Sequence, residues 1–218
     1  MKAHTKESQS TVTPAMALQF LKEGNKRFVN NLKYNRNLLQ QVNDTREGQW
    51  PFAVILSCID SRTSAELIFD QGLGDVFSVR IAGNVLNDDI LGSMEFACKI
   101  AGSKLIVVLG HTKCGAVKGA CAQVEMGNLT GLLEKIQPAV DAAGKTTKHD
   151  KGSMEFVEEV AEQNVMYHMN NILEQSPILR GLIEENKIGI AAGMYSVDSG
   201  EVDFIYEKVK TQKKIETV

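Results

Sequence analysis

The chain has 218 residues, is 43% apolar, and carries 24 basic against 27 acidic side chains, for a formal charge of −3. That is the size of one domain, or of a domain with an appendage, with enough apolar mass for a core. A long basic run is absent, which argues against nucleic acid as a partner. No apolar run reaches the roughly 18 residues of a membrane span.

The stretch Met1–Thr13 lacks the apolar core of a secretory signal, so the expected location is cytoplasmic. Residues 1–12 are polar and read as mobile. Thr13 then caps a helix with Pro14 at its first position, and Ala17, Leu18, Leu21 and Phe28 form its apolar face. The stretch from Asn30 to Trp50 is rich in Asn and Gln with scattered leucines. Residues 1–50 therefore read as an N-terminal helical arm that packs on a partner subunit, with this chain's own sheet as the alternative surface, ahead of a domain over 51–218.

Phe52–Leu56 is an apolar run bounded by polar punctuation, which predicts a buried strand. It leads into Ser57-Cys58-Ile59-Asp60-Ser61-Arg62. A short helix follows, with Thr63 or Ser64 as its cap and Gly72-Leu73-Gly74 as its end. Asp75–Arg80 reads as a second strand and Ile81-Ala82-Gly83-Asn84 as a turn. Asp88 or Asp89 is expected to cap a helix reaching Ala101, with Leu91, Met94, Ala97 and Cys98 inward. Phe96 and Ile100 lie off that stripe, and Glu95 is either solvated or buried with a partner.

Lys104–Leu109 is a third strand, rich in β-branched residues and expected at the sheet centre. It ends in His111-Thr112-Lys113-Cys114-Gly115, and a helix starts at Cys114. Leu129–Ala143 reads as a helix interrupted or kinked near Pro138. A polar connector holds His149, and the longest helix runs from Ser153 to about Gln175 with His168 as a surface or hydrogen-bonded histidine. After a short helix from Ile178, Lys187–Met194 and Val202–Tyr206 form strands joined by Ser199-Gly200, which forces an antiparallel pair. The fold class is α/β: a mostly parallel sheet flanked by helices, with an antiparallel edge strand.

Four cysteines in a chain this long do not make a disulfide scaffold. Cys98 and Cys121 fall inside predicted helices and read as small hydrophobes. Cys58 and Cys114 differ, because each follows an apolar strand, where an open parallel sheet binds its ligands. With His111 they supply three soft ligands and leave a fourth position open, as in a catalytic zinc site. Asp60 could close that position. It could instead pair bidentately with Arg62 and accept a hydrogen bond from a metal-activated water.

The pattern Cys58-x-Asp60-x-Arg62 followed by His111-x-x-Cys114-Gly115 resembles the β-class carbonic anhydrases, and the resemblance runs from the N-terminal helix to the last hairpin. It implies zinc as cofactor, with Cys58, His111 and Cys114 as ligands, and reversible hydration of carbon dioxide to bicarbonate. Asp60 and Arg62 carry over as the catalytic dyad. Gln49 falls where some members bind substrate at the dimer interface, Phe77 at an aromatic position of that pocket, and Phe96 where many members have tyrosine. Gly83 lies in a turn that the family places near the site. The family also implies a homodimer or homotetramer whose N-terminal helices embrace the neighbour. Trp50 is not where pH-gated relatives carry their tryptophan, which points to a constitutively open site. The same fold and ligands occur in hydrolases of carbon disulfide or carbonyl sulfide. A zinc-stabilised scaffold protein is the non-enzymatic alternative.

Overall fold

The structure is a computed structural model and describes residues 3–209. The chain begins with α1 (Lys6–Thr11), α2 (Pro14–Val29) and α3 (Leu38–Thr45), then enters β1 (Ala53–Ser57), α4 (Ala65–Ile68) and β2 (Val76–Arg80). It continues through α5 (Asp88–Glu95), β3 (Leu105–His111), α6 (Gly115–Cys121), α7 (Gly127–Leu133), α8 (Gln137–Thr146), α9 (Met154–Gln175) and α10 (Pro177–Glu184). The hairpin of β4 (Gly189–Tyr195) and β5 (Val202–Lys208) ends it.

The five strands lie in the order β2-β1-β3-β4-β5, parallel except for the β4–β5 pair. Strand side chains alternate between faces. Val54, Leu56, Ile106, Val108, Ile190 and Ala192 meet a core built on α5 to α10. Ala53, Ile55, Leu105, Val107, Leu109 and Ala191 meet a core built on α2 and α4. Because both faces are covered, the central strands are continuously apolar, which is what made them readable.

The N-terminus departs from expectation. Residues 6–11 are a helix, capped by Thr5, whose side chain accepts from Ser8 N while Ser8 Oγ accepts from Thr5 N. Buried Gln9 anchors it, donating from Nε2 to the Pro51 carbonyl at 2.8 Å and the Ala101 carbonyl at 2.9 Å. Helix α2 forms as predicted, with Thr13 accepting from Met16 N and Pro14 in the first turn. Its apolar face does not wait for a partner subunit: Ala17, Leu18 and Leu21 are buried on this chain's own sheet. The approach is so close that a Cβ on Gly24 would lie 1.8 Å from the Phe69 carbonyl oxygen.

The stretch after Val29 behaves differently. Buried Asp70 accepts from Arg27 Nε at 2.6 Å, from the Tyr34 amide at 3.3 Å and from Arg36, which fixes the chain as far as residue 36. Beyond it, Leu38, Leu39 and Val42 of α3 are exposed.

Two local expectations are corrected. The cap of α5 is Asn87, whose side chain accepts from Ile90 N at 2.9 Å, while Asp88 and Asp89 sit in the first turn where negative charge suits the helix dipole. That helix widens into a π turn over Phe96–Ile100 and leaves Phe96 and Ile100 exposed. Of the two options near Pro138 the chain takes the interruption: α7 ends at Leu133, and Pro138 lies in the first turn of α8. Glu95 takes the partnered option, accepting from Ser176 Oγ.

Candidate active site

Parallel β1 and β3 are adjacent and in register, with Ser57 opposite Leu109. Their carboxyl ends therefore deliver Cys58 and the His111–Cys114 turn to one place. The ligand atoms of Cys58, His111 and Cys114 lie within 4.8 Å of one another, and all three residues are buried. Lys113 takes a left-handed conformation, φ 55°, and this reverses the chain so that Cys114 sits at the start of α6 beside His111.

The donor set fits a soft cation. His111 Nδ1 donates to the Thr112 carbonyl at 2.9 Å, which fixes the tautomer. Nε2 is left buried with no hydrogen-bond partner among the described residues. Such an atom is costly unless something binds it. The two sulfurs are coupled: the hydrogen bond from Cys114 holds Cys58 down at about 4, and the Cys58 thiolate in turn pushes the Cys114 thiol up. Both can be thiolates together only with a cation between them.

Arg62 grips Asp60 through a fork, Nε to Oδ1 at 2.9 Å and Nη2 to Oδ2 at 2.8 Å, and the Arg62 amide donates to Oδ1 at 2.9 Å. These bonds hold the Asp60 carboxyl far below the usual carboxylate range against the opposing effect of burial. Both carboxylate oxygens are thus occupied on the Arg62 side. Thr63 Oγ1 donates to the carbonyls of Cys58 at 3.2 Å and Asp60 at 2.9 Å, so the 58–63 loop is held from within.

Reasoning from sequence missed Arg80. It ends β2 opposite Ser57 and donates from Nε to the Cys58 carbonyl at 3.0 Å and from Nη2 to the Asp60 carbonyl at 2.7 Å. The available signal was its place at the end of a strand, the same place that marked Cys58. The Gly83 amide donates to Cys58 Sγ at 3.3 Å. Its φ of 65° is left-handed, and a Cβ there would meet Ile136 Cδ1 at 2.7 Å.

The model of the carbonic anhydrase family matches residues 53–202, which span both ligand-bearing strands and the dyad. The chain belongs to the β-class carbonic anhydrases. A carbonic anhydrase 2 of Mycobacterium tuberculosis is 36% identical over 193 residues, covering 86% of this chain and 90% of that protein. The carbonic anhydrase of Mycolicibacterium smegmatis is 35% identical, over 84% and 86%. Among solved structures, the β-carbonic anhydrase CafA of Aspergillus fumigatus superposes with a TM-score of 0.70 at 25% identity, over 90% of this chain and 92% of that one. This carbonic anhydrase is an enzyme that hydrates carbon dioxide reversibly to bicarbonate, with a Cys-His-Cys cluster for its metal. No helix among the described residues is long and apolar enough to cross a membrane.

The remaining pocket candidates lie away from the cluster within this chain. Phe77 is level with Val54 in the sheet, four residues before Cys58, or roughly 13 Å along the strand. Its ring meets that of Phe96 edge-on, with centroids 6.3 Å apart. Gln49 is exposed ahead of β1, at the opposite end of that strand from Cys58. His168, expected as a surface or hydrogen-bonded histidine, takes the second option: it is buried and accepts from the Leu86 amide. His149 is on the surface, beside Glu159.

Proposed function

We propose that the metal is zinc and that Asp60 and Arg62 are the catalytic pair acting beside it. The observation that supports this most directly is that Asp60 is tied to Arg62 while two cysteines and one imidazole converge without it. Cys58, His111 and Cys114 would hold the zinc, which would lower the pKa of a water toward roughly 7 and so supply the nucleophile. Asp60 is acceptor-only when ionised, and Arg62 keeps it ionised. Asp60 would accept the nucleophile's O–H and so orient it toward the carbon of carbon dioxide. Arg80 holds the carbonyls on either side of Ile59 and so fixes where Asp60 stands.

The substrate pocket is read as shared with a second copy of the chain. Gln49 and Phe77 lie too far down the sheet to reach their own cluster, and the exposed Leu38, Leu39 and Val42 give α3 an apolar face to bury. A relative pair from Sordaria macrospora is described as tetrameric, which accords with a homodimer or homotetramer here. Gln49 from the partner would then hydrogen-bond a substrate oxygen, and Phe77 with Phe96 would form an apolar wall.

Stopped-flow hydration of carbon dioxide, on protein with metal and mass both quantified, tests the reading from pH 6.5 to 9. One zinc per chain, fast turnover across that range and its loss in Asp60→Ala are expected. Zinc-loaded protein without hydration at any pH would sink it.

A further inference from the structure

The turn from Ala82 to Leu86 carries the Gly83 amide that faces Cys58 Sγ. Gly83 and Asn84 are both left-handed, with φ of 65° and 43°, so the turn is an unusual backbone that needs support. Two side chains of α9 reach it. Asn164 Nδ2 donates to the Gly83 carbonyl at 2.8 Å, and the Leu86 amide donates to His168 Nδ1 at 3.3 Å. Asn164 and His168 are four residues apart, so they sit on one face of the helix.

Their surroundings are apolar. Asn164 is 0% and His168 2% exposed, in a stripe otherwise made of Val160, Ala161, Val165, Met169 and Ile172. Each leaves one atom, Asn164 Oδ1 and His168 Nε2, buried with no hydrogen-bond partner among the described residues. An apolar side chain of the same size would avoid that cost, so core packing does not account for either residue. What each provides is a hold on the turn. Burial also pushes His168 down to about 4, so the ring stays neutral and Nδ1 stays an acceptor.

We propose that Asn164 and His168 are positioning residues of the metal centre: from α9 they clamp the 82–86 turn so that the Gly83 N–H stays on the Cys58 sulfur. The inference rests on Cys58 being a metal ligand. A donated N–H draws charge from a thiolate and orients it, and outer-shell partners of this kind change metal affinity about 10- to 100-fold.

The test uses the full chain loaded with cobalt(II), whose sulfur-to-metal absorption reports on the thiolates directly. Asn164→Leu and His168→Leu are expected to shift that band and to weaken cobalt binding about 10-fold or more in chelator competition. His168→Asn, whose Oδ1 stands where Nδ1 was, is expected to keep both wild-type values. If the leucine variants do not fold, His168→Asn is compared with His168→Gln, whose amide oxygen lies on the wrong side, and only Gln should lose them. Leucine variants that are less stable yet match the wild type in band and affinity would overturn the clamp alone, as would Asn and Gln behaving alike. Wild-type protein that takes up no cobalt would overturn both the clamp and the ligand role of Cys58.

Discussion

Arg62 holds Asp60 by both carboxylate oxygens, at 2.8 and 2.9 Å, with its own backbone amide as a third donor to Oδ1. The fork is planar, and lysine cannot reproduce it. Arg62→Lys is therefore expected to lower kcat/KM roughly 10- to 100-fold, the usual cost of losing an orienting partner. Asp60→Ala removes the acceptor itself and should cost at least as much. Metal content separates this from damage to the centre: Arg62→Lys should load metal as the wild type does while kcat/KM falls in parallel from pH 6.5 to 9, because a carboxyl even at its ordinary value stays ionised there. An unchanged kcat/KM in metal-loaded Arg62→Lys would refute the orienting role.

A steric prediction follows from Gly24. Its missing Cβ would fall 1.8 Å from the Phe69 carbonyl oxygen, a backbone atom that cannot swing aside. Gly24→Ala should then push α2 off α4, against the small gain alanine makes as a helix former. A loss of about 1–3 kcal/mol is expected from overpacking, read as a lower urea midpoint with an unchanged slope. Were α2 instead an arm lying on a neighbour, the variant would alter the oligomer and leave the fold's stability alone.

The metal-ligand cluster and the Asp60–Arg62 pair were legible in the sequence because their parts are local. Cys58, Asp60 and Arg62 follow one apolar strand, His111 and Cys114 follow another, and a parallel sheet gathers such ends. Arg80, Asn164 and His168 were not legible, since each acts through a register or helix placement that no neighbouring residue announces. Gln9 shows the same thing in the fold. It lies in a polar stretch that looks mobile, and only its bonds to Pro51 and Ala101, distant in the chain, make the segment a helix with an anchor. Asn87 outcompeted Asp88 and Asp89 as a cap because two acidic neighbours are equally at home one residue later, in the first turn.

Asp70 should be the most sensitive carboxylate of the fold. Burial raises its pKa, but Arg27, Arg36 and the Tyr34 amide outweigh that and leave it below the ordinary value. Its side chain is 2% exposed, between arginines at 18% and 8%. Asp70→Ala would remove the carboxylate that both arginines face and cost about 3–5 kcal/mol in unfolding free energy. Because the folded pKa is depressed, the ion-pair contribution is present above the unfolded value near 3.9 and is lost as pH falls through the folded one. The stability difference between wild type and Asp70→Asn should therefore shrink in acid below about pH 4. A difference that stays constant down to pH 2.5 would show that the charge of Asp70 contributes nothing.

His168 gives a second pH dependence in a separate window. Burial foremost, aided by Lys135, depresses its pKa to about 4, against about 6.5 in the unfolded chain. Between those values the unfolded state binds a proton that the native state refuses. Stability is therefore full above about pH 6.5, falls as the pH drops and levels off below about 4. The displacement is worth about 2 kcal/mol by pH 5. His168→Asn keeps an acceptor for the Leu86 amide and cannot titrate, so it should lack this share of the slope. The comparison is made as a difference between the two proteins, from urea unfolding at pH 7.5 and pH 5. Groups common to both proteins cancel in that difference. Wild type and variant losing the same stability between those two pH values would mean that His168 is charged in the native protein, and its hold on Leu86 through Nδ1 would then be untenable.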